Sequence, residues 1–319
     1  MAASQHLTHT RFIVNPAARN GKTGTTWGQI WQHIQKIWPH KVDYQLTRYP
    51  GHAISLSQRA PEEGVRTVIA VGGDGTVNEV VNGIMPLRGN TTTQPVLGVL
   101  ELGTGGDFAR TLQMPRGVRE TLKWLLDAVP RPVDVGEAVC RARTGEMCTR
   151  YFINILDFGL GGSVVQWVNS HSKRLGGTIT FLTGILINLA KYRNKEIRFR
   201  VDGAEWQHCR VNNVILANGR YFGGGLLPAP MAMIHDGQLE GIVIGDIGRI
   251  EAVFNLKRLR EGRHLAHPKI MHFAFQQFQA ESMETVYVDA DGELIGTLPL
   301  SVRVLPGALR VLSKKGLFR

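Results

Sequence analysis

Over the first part of the chain, short and nearly continuous apolar runs alternate with helical patterns. The runs are RFIVN at 11, VDYQL at 42, TVIAV at 67 and PVLGVLEL at 95. Between them lie a tryptophan-rich stretch from Trp27 to Trp38, a helix after His52 and another at Val77. Strands that are apolar at successive positions are buried on both faces, so this part predicts an α/β domain with a mostly parallel sheet. Beyond about Pro132 the pattern changes to RYFINIL, IRFRVDG, RVNNVILANG, GIVIG and ETVYVDADGELIG, separated by Gly, Asn and Asp. That spacing predicts a second, mostly antiparallel β domain. Two prolines and a glycine bracket residues 131–138, which places the boundary near 133: domains of 1–133 and 134–305.

A chain of 319 residues, 43% hydrophobic and 20% charged, has the composition of an ordinary globular protein of two domains. Its net charge of +11 favours anionic partners: nucleotides, nucleic acid or an acidic membrane. There is no helix-turn-helix signature, aromatic RNA-binding motif or long Lys/Arg run, which argues against nucleic acid. Three cysteines without C-x-x-C spacing indicate neither a disulfide framework nor a zinc site, and fit a cytoplasmic setting. The N-terminus lacks the pattern of a signal peptide, and the apolar run Ile179–Ala190 is too short to span a bilayer. Lys173, Arg174, Lys191, Arg193 and Lys195 flank that run, which reads either as a basic amphipathic helix on anionic lipid or as a packed helix with a solvated face.

Glycine marks the candidate chemistry. TVIAV delivers Gly72, Gly73, Asp74, Gly75 and Thr76 to a strand end followed at once by a helix, where backbone amides can close around phosphate oxygens. Asp74 repels a bare phosphate; it holds Mg²⁺ or an ordered water, or it caps the helix. A second loop, ELGTGGDFAR at 101–110, repeats the arrangement with Thr104 and Asp107. NPAARNGKT at 15–23 fails as a Walker A loop because Pro16 stands where the first glycine belongs; Asn15 at a strand end can still orient a nucleotide. Thr47 ends VDYQL and can add a hydroxyl to the same triphosphate. His264, His267 and His272 lack metal-ligand spacing.

Asn15-Pro16, Thr47 followed by PGHA, GGDGTVNEVVNG, GTGGDFAR, NGRYFGGGLLPAP, HDGQLEG and DADGEL, in this order, resemble the diacylglycerol kinase catalytic-domain superfamily, with sphingoid-base and ceramide kinases as cousins. GGDGT alone also looks similar in NAD kinases and phosphofructokinases. The resemblance implies a phosphofructokinase-like α/β domain, a β-sandwich second domain and a last segment, 306–319, returning to the first. It implies ATP contacts at Asn15, Thr47, Gly72, Gly73, Asp74, Gly75, Thr76, Val77, Asn78, Thr104 and Asp107. It also implies a general base at Asp291 with Glu293 as companion, although DADGEL by itself reads more readily as a two-residue hairpin turn. A structural Mg²⁺ is implied at Asp236 with the carbonyls of Met233 and Gln238, and Asp134 linked to it through water; a plain turn explains Asp236-Gly237 as well.

One departure stands out: Gly106 occupies the position where the resembled proteins usually carry Asn. The implied activity is ATP- and Mg²⁺-dependent phosphorylation of a lipid hydroxyl, that of diacylglycerol giving phosphatidic acid, by a cytoplasmic protein in peripheral contact with anionic membrane. The alternatives are an NAD kinase-like phosphotransferase and a catalytically weakened nucleotide-binding protein. Homodimers occur among such proteins; no residue here points to one.

Overall fold

The computed structural model describes residues 5–88, 94–170, 184, 187–188 and 191–316. The chain forms two compact units, Met1–Val133 with Gly307–Arg319, and Asp134–Pro306. It passes from one to the other within strands, in β5 (Val129–Arg141) and β15 (Glu293–Ser313), rather than through a linker.

In the first unit four parallel strands lie in the order β2 (Lys41–Leu46), β1 (His9–Val14), β3 (Thr67–Gly72) and β4 (Val96–Glu101). The end of β15 runs parallel beside β4, Val311 opposite Leu97. The central strands β1 and β3 are buried at every position, which is why they read as unbroken apolar runs. Phe12, Val14, Ile69 and Val71 point from one face of the sheet into a cluster with Trp27 and Ile34 of α1 (Lys22–Ile37) and Leu122 and Leu125 of α5 (Val118–Asp127). Phe12 meets the Trp38 ring edge-on at 5.2 Å, so the tryptophan-rich stretch is core. The helices α2 (His52–Arg59) and α3 (Asp74–Ile84) pack on each other, on β1 and on β3.

The second unit is an antiparallel sandwich. One layer runs β12 (Ile270–Phe275), β11 (Leu239–Ile244), β10 (Asn213–Ala217), β7 (Ile155–Gly159), β14 (Tyr287–Ala290), β15. The other runs from β15 through β13 (Gln277–Glu281) and β8 (Lys195–Val201) to β9 (Gln207–Val211). Phe158, Val214, Leu216 and Phe275 of the first layer meet Phe199, Phe278 and Leu300 of the second in one buried core. Alternate residues Ile215, Ala217, Ile242 and Ile244 face the other way and pack with Ala252 of α7 (Arg249–Arg260) and Leu160 of α6 (Leu160–Ser170).

RYFINIL, which reads as one strand, is two: β6 (Met147–Phe152) stops and β7 begins at Ile155. The break at Ile153-Asn154 is held by a carboxylate from a distant hairpin. Most of the apolar run 179–190, with Lys173 and Arg174, lies outside the described residues. No helix among the described residues is long and apolar enough to cross a membrane.

Candidate functional site

Because β1 to β4 are parallel, the residues that follow them gather at one edge of the sheet. Val14 sits opposite both Leu46 and Val71, and Gly72 opposite Glu101, so Asn15, Thr47, Gly73 and Leu102 leave the sheet side by side. The Asn15 amide donates to the Val71 carbonyl at 2.9 Å and the Thr47 amide to that of Val14 at 2.8 Å. Asn15 Nδ2 donates to Thr76 Oγ1 at 3.2 Å, joining the first strand end to the glycine loop. A Cβ on Gly72 would lie 2.3 Å from that hydroxyl, and one on Gly103 would lie 2.5 Å from Gly73 Cα. The two loops therefore meet backbone to backbone, and a side chain at either position would drive them apart. Thr104 of the second loop is exposed, while Val77 and Asn78 are buried in the first turns of α3.

Asp74 spends both carboxylate oxygens on the start of α4 (Asp107–Thr111): Oδ2 accepts the Asp107 amide at 3.2 Å and Oδ1 that of Phe108 at 3.1 Å. Asp74 thus opens its own helix and caps another, tying the GGDG loop to the GTGG loop. Asp107 pairs with Arg110 one turn on, at 2.5 Å. Glu79, which the sequence pattern does not single out, accepts the Gly51 amide at 2.8 Å and the Ala53 amide at 3.1 Å, fixing the PGHA turn behind Thr47.

Glu101 is the unforeseen member of this group. Its Oε1 accepts the Gly103 amide at 2.6 Å, and its Oε2 is buried without a hydrogen-bond partner. Burial, with the nearby charges of Asp74 and Asp107, pushes its carboxyl up to about 8. The side chain packs against Gly106, which has a φ of 64° and where a Cβ would come within 3.1 Å of Glu101 Cγ. The missing asparagine thus leaves room that Glu101 fills. The signal for it was a single acid at the end of an otherwise apolar strand.

The second unit concentrates carboxyl groups. DADGEL is a two-residue hairpin: Ala290 pairs with Glu293, and Asp291 and Gly292 turn with φ of 51° and 87°. The Asp291 carboxylate accepts the amides of Ile153 at 3.0 Å, Asn154 at 3.0 Å and Ile155 at 2.8 Å. It holds open the gap between β6 and β7. Two residues back, Asp289 lies directly opposite Asp157 of β7, and both are buried. Burial pushes Asp157 up to about 7, and burial plus the Asp157, Asp291 and Glu293 charges raises Asp289 well above the usual carboxylate range. Both Oδ1 atoms are buried without a partner. Nothing in the spacing of Asp157 and Asp289 announces this pair; strand pairing creates it.

The HDGQLEG turn carries hard oxygen donors, with Asp236 and Met233 exposed. Asp236 Oδ1 accepts the Gln238 amide at 3.1 Å, and Asp134 Oδ2 accepts the Gly237 amide at 2.7 Å. Asp134 is therefore bonded to the turn itself. The donor types fit a hard cation, although one carboxylate carries all the charge of the implied ligand set, and no cluster of three or more metal-ligating side chains occurs among the described residues. His267 and His272 each meet a separate glutamate, Glu251 at 3.0 Å and Glu240 at 2.7 Å.

Beneath α6 and α7 lies a cavity of about 90 Å³, lined by Leu160, Val164, Phe222, Leu226, Leu256 and Leu259, with His264 in the wall. His264 is buried, and burial pushes its imidazole down to about 4, so it is neutral at physiological pH.

Glycine loops at the ends of a parallel sheet make an edge suited to phosphate oxygens, and an antiparallel sandwich follows it in the chain. Residues 9–138 match the diacylglycerol kinase catalytic domain, and residues 154–313 match the YegS C-terminal NAD kinase beta sandwich-like domain. A protein of Chromohalobacter salexigens named as a YegS-like lipid kinase is 31% identical over 278 residues, 87% of this chain and 85% of its own length. The diacylglycerol kinase of Bacillus subtilis is 27% identical over 92% of both chains. The crystal structure of a protein assigned as a diacylglycerol kinase from Bacillus anthracis superposes with a TM-score of 0.76 at 25% identity, covering 97% of this chain and 96% of that one. The chain belongs to the diacylglycerol kinase family of lipid kinases.

Proposed function

We propose that this protein transfers the γ-phosphoryl group of ATP to the hydroxyl of diacylglycerol, giving phosphatidic acid and ADP. The observation that carries the donor half is the backbone contact of the two glycine loops, with Thr104 of the second loop exposed and Asp74 pinning α4. In this reading Gly72 to Asn78, Thr104 and Asp107 position the triphosphate, with Asn15 and Thr47 beside them. Mg²⁺ bound with the nucleotide would neutralise phosphate charge, and Asp74 and Asp107, already engaged by the α4 amides and by Arg110, would offer it their remaining lone pairs. Asp236, with the Met233 and Gln238 carbonyls, is the proposed site of a structural Mg²⁺ and Asp134 its support.

Asp291 acts as the base: it accepts the hydroxyl proton while the new O–P bond forms and the bond from γ-phosphorus to the bridging oxygen breaks. Glu293 adds negative charge beside it, while burial favours the protonated form of the Asp157–Asp289 pair behind it. The apolar cavity beneath α6 and α7 suits hydrocarbon, and we assign it to an acyl chain. The protein reaches this substrate by peripheral contact with anionic membrane.

The test is a panel of hydroxyl lipids incubated with ATP and Mg²⁺, with products identified by mass spectrometry. Phosphatidic acid should dominate. Phosphorylation of another lipid moves the assignment within the family, and ATP binding without any phosphorylated lipid overturns it in favour of a weakened nucleotide-binding protein.

A further inference from the structure

Helix α7 carries apolar side chains on two opposite faces, more than packing requires. At roughly 100° per residue, Ala252, Asn255, Leu256 and Leu259 share the face that walls the cavity. Ile250 and Phe254 project from the opposite face, with Val253 at its margin, and are 75%, 76% and 46% exposed. Single exposed apolar residues are ordinary, but three within five positions of one helix form a patch.

The charges around this patch are mainly basic. Lys257 lies on the same outward face and Arg249, Arg258 and Arg260 border it, all exposed, while Glu261 just past the helix is paired with Arg263 at 3.5 Å. The helix has a single acid, Glu251, which is drawn aside by Lys269 Nζ at 3.0 Å and His267 Nε2 at 3.0 Å and closes onto the Gly248 amide at 3.1 Å. An aromatic and two aliphatic side chains inside a basic rim match the boundary between acyl chains and anionic headgroups. A second copy of this face would bring two basic rims together, which opposes self-association through it.

We propose that α7 docks the protein on an anionic phospholipid bilayer, with Ile250, Val253 and Phe254 immersed at the headgroup boundary and the arginines and Lys257 on the phosphates. The same helix walls the apolar cavity with its inner face, so the element that touches the bilayer is also the one behind which an acyl chain is received. This rests on the lipid-substrate reading above.

The test uses the full chain and the double variant Ile250→Ser/Phe254→Ser, sedimented with vesicles of phosphatidylcholine and phosphatidylglycerol and with pure phosphatidylcholine vesicles. Wild type should prefer the mixed vesicles, and the double variant should lose at least about tenfold in binding to them. Its unfolding midpoint and its phosphorylation of detergent-dispersed, short-chain diacylglycerol should remain those of wild type. A second variant, Arg258→Glu/Arg260→Glu, should abolish the preference for anionic vesicles. Unchanged vesicle binding by both variants overturns the proposal, as does a wild-type dimer that the Ser variant dissolves while vesicle binding persists. Vesicle binding that depends on α7 in a protein that phosphorylates no lipid leaves the docking surface standing and removes the substrate assignment instead.

Discussion

The glycine loops of the first unit and the acidic hairpin of the second each hold an aspartate by backbone amides, but one buried acid, Glu101, lies beside the loops and two lie behind the hairpin. In the first, Asp74 is half-buried and gives its two oxygens to backbone amides of a neighbouring helix, and the chemistry rests on main chain brought close by glycine. In the second, Asp291 is likewise held by amides, yet behind it two aspartates face each other across a strand pair, buried and short of partners. In the proposed reading, donor binding depends on absent side chains and acceptor activation on crowded ones. The two regions should therefore fail differently when altered.

The largest effect is expected at the hairpin. Asp291→Asn should lower phosphoryl transfer by about 10²–10⁴-fold, the range for a lost general base, while nucleotide affinity stays close to wild type. Because the side chain also anchors three amides, the melting temperature should fall as well. Unchanged transfer would strip Asp291 of its role and leave it as a turn residue.

Gly103→Ala puts a methyl against the Gly73 backbone, where no side chain can yield. Nucleotide binding measured by calorimetry should weaken by at least about 100-fold, taking the clash as roughly 3 kcal/mol. Wild-type affinity in this variant would mean that the loops separate without consequence. Asp74→Asn exchanges an ionised cap for a neutral one at α4, with an expected loss of about 1–2 kcal/mol in stability and lower Mg²⁺-dependent activity.

A further effect concerns pH. The Asp157 carboxyl, raised to about 7, holds its proton more tightly in the folded protein than in the unfolded chain. Its contribution to stability is therefore complete in acid and is lost as pH rises towards and through 7. Asp157→Asn removes one carboxyl of the coupled Asp157–Asp289 pair, so thermal melts should show the variant gaining on wild type as pH rises from about 5 towards 8, by some 2–4 °C for each kcal/mol. A constant difference across that range would contradict the buried, protonated carboxyl.

The fold was legible where periodicity reports burial. TVIAV reads as a doubly covered strand because both its faces are covered, and the change in rhythm after Pro132 reports the antiparallel sandwich. Where one carboxylate interrupts a strand, as Asp291 does at Ile153-Asn154, the local pattern carries no trace of a partner more than a hundred positions away. The glycine motifs announce close backbone approach by their spacing alone. Glu101 reads only as one acid beside a motif, although the space left by Gly106 gives it a buried place. Asp157 was hidden because its neighbour in space, Asp289, is set by strand register.

The measurement that bears most directly on the account presents wild-type protein and the Asp291→Asn variant with γ-labelled ATP, Mg²⁺, dispersed diacylglycerol and NAD in one vessel. The account predicts label in phosphatidic acid with wild type, none in NADP, and almost none in either with the variant. Label in NADP, or equal lipid labelling by both proteins, would contradict it.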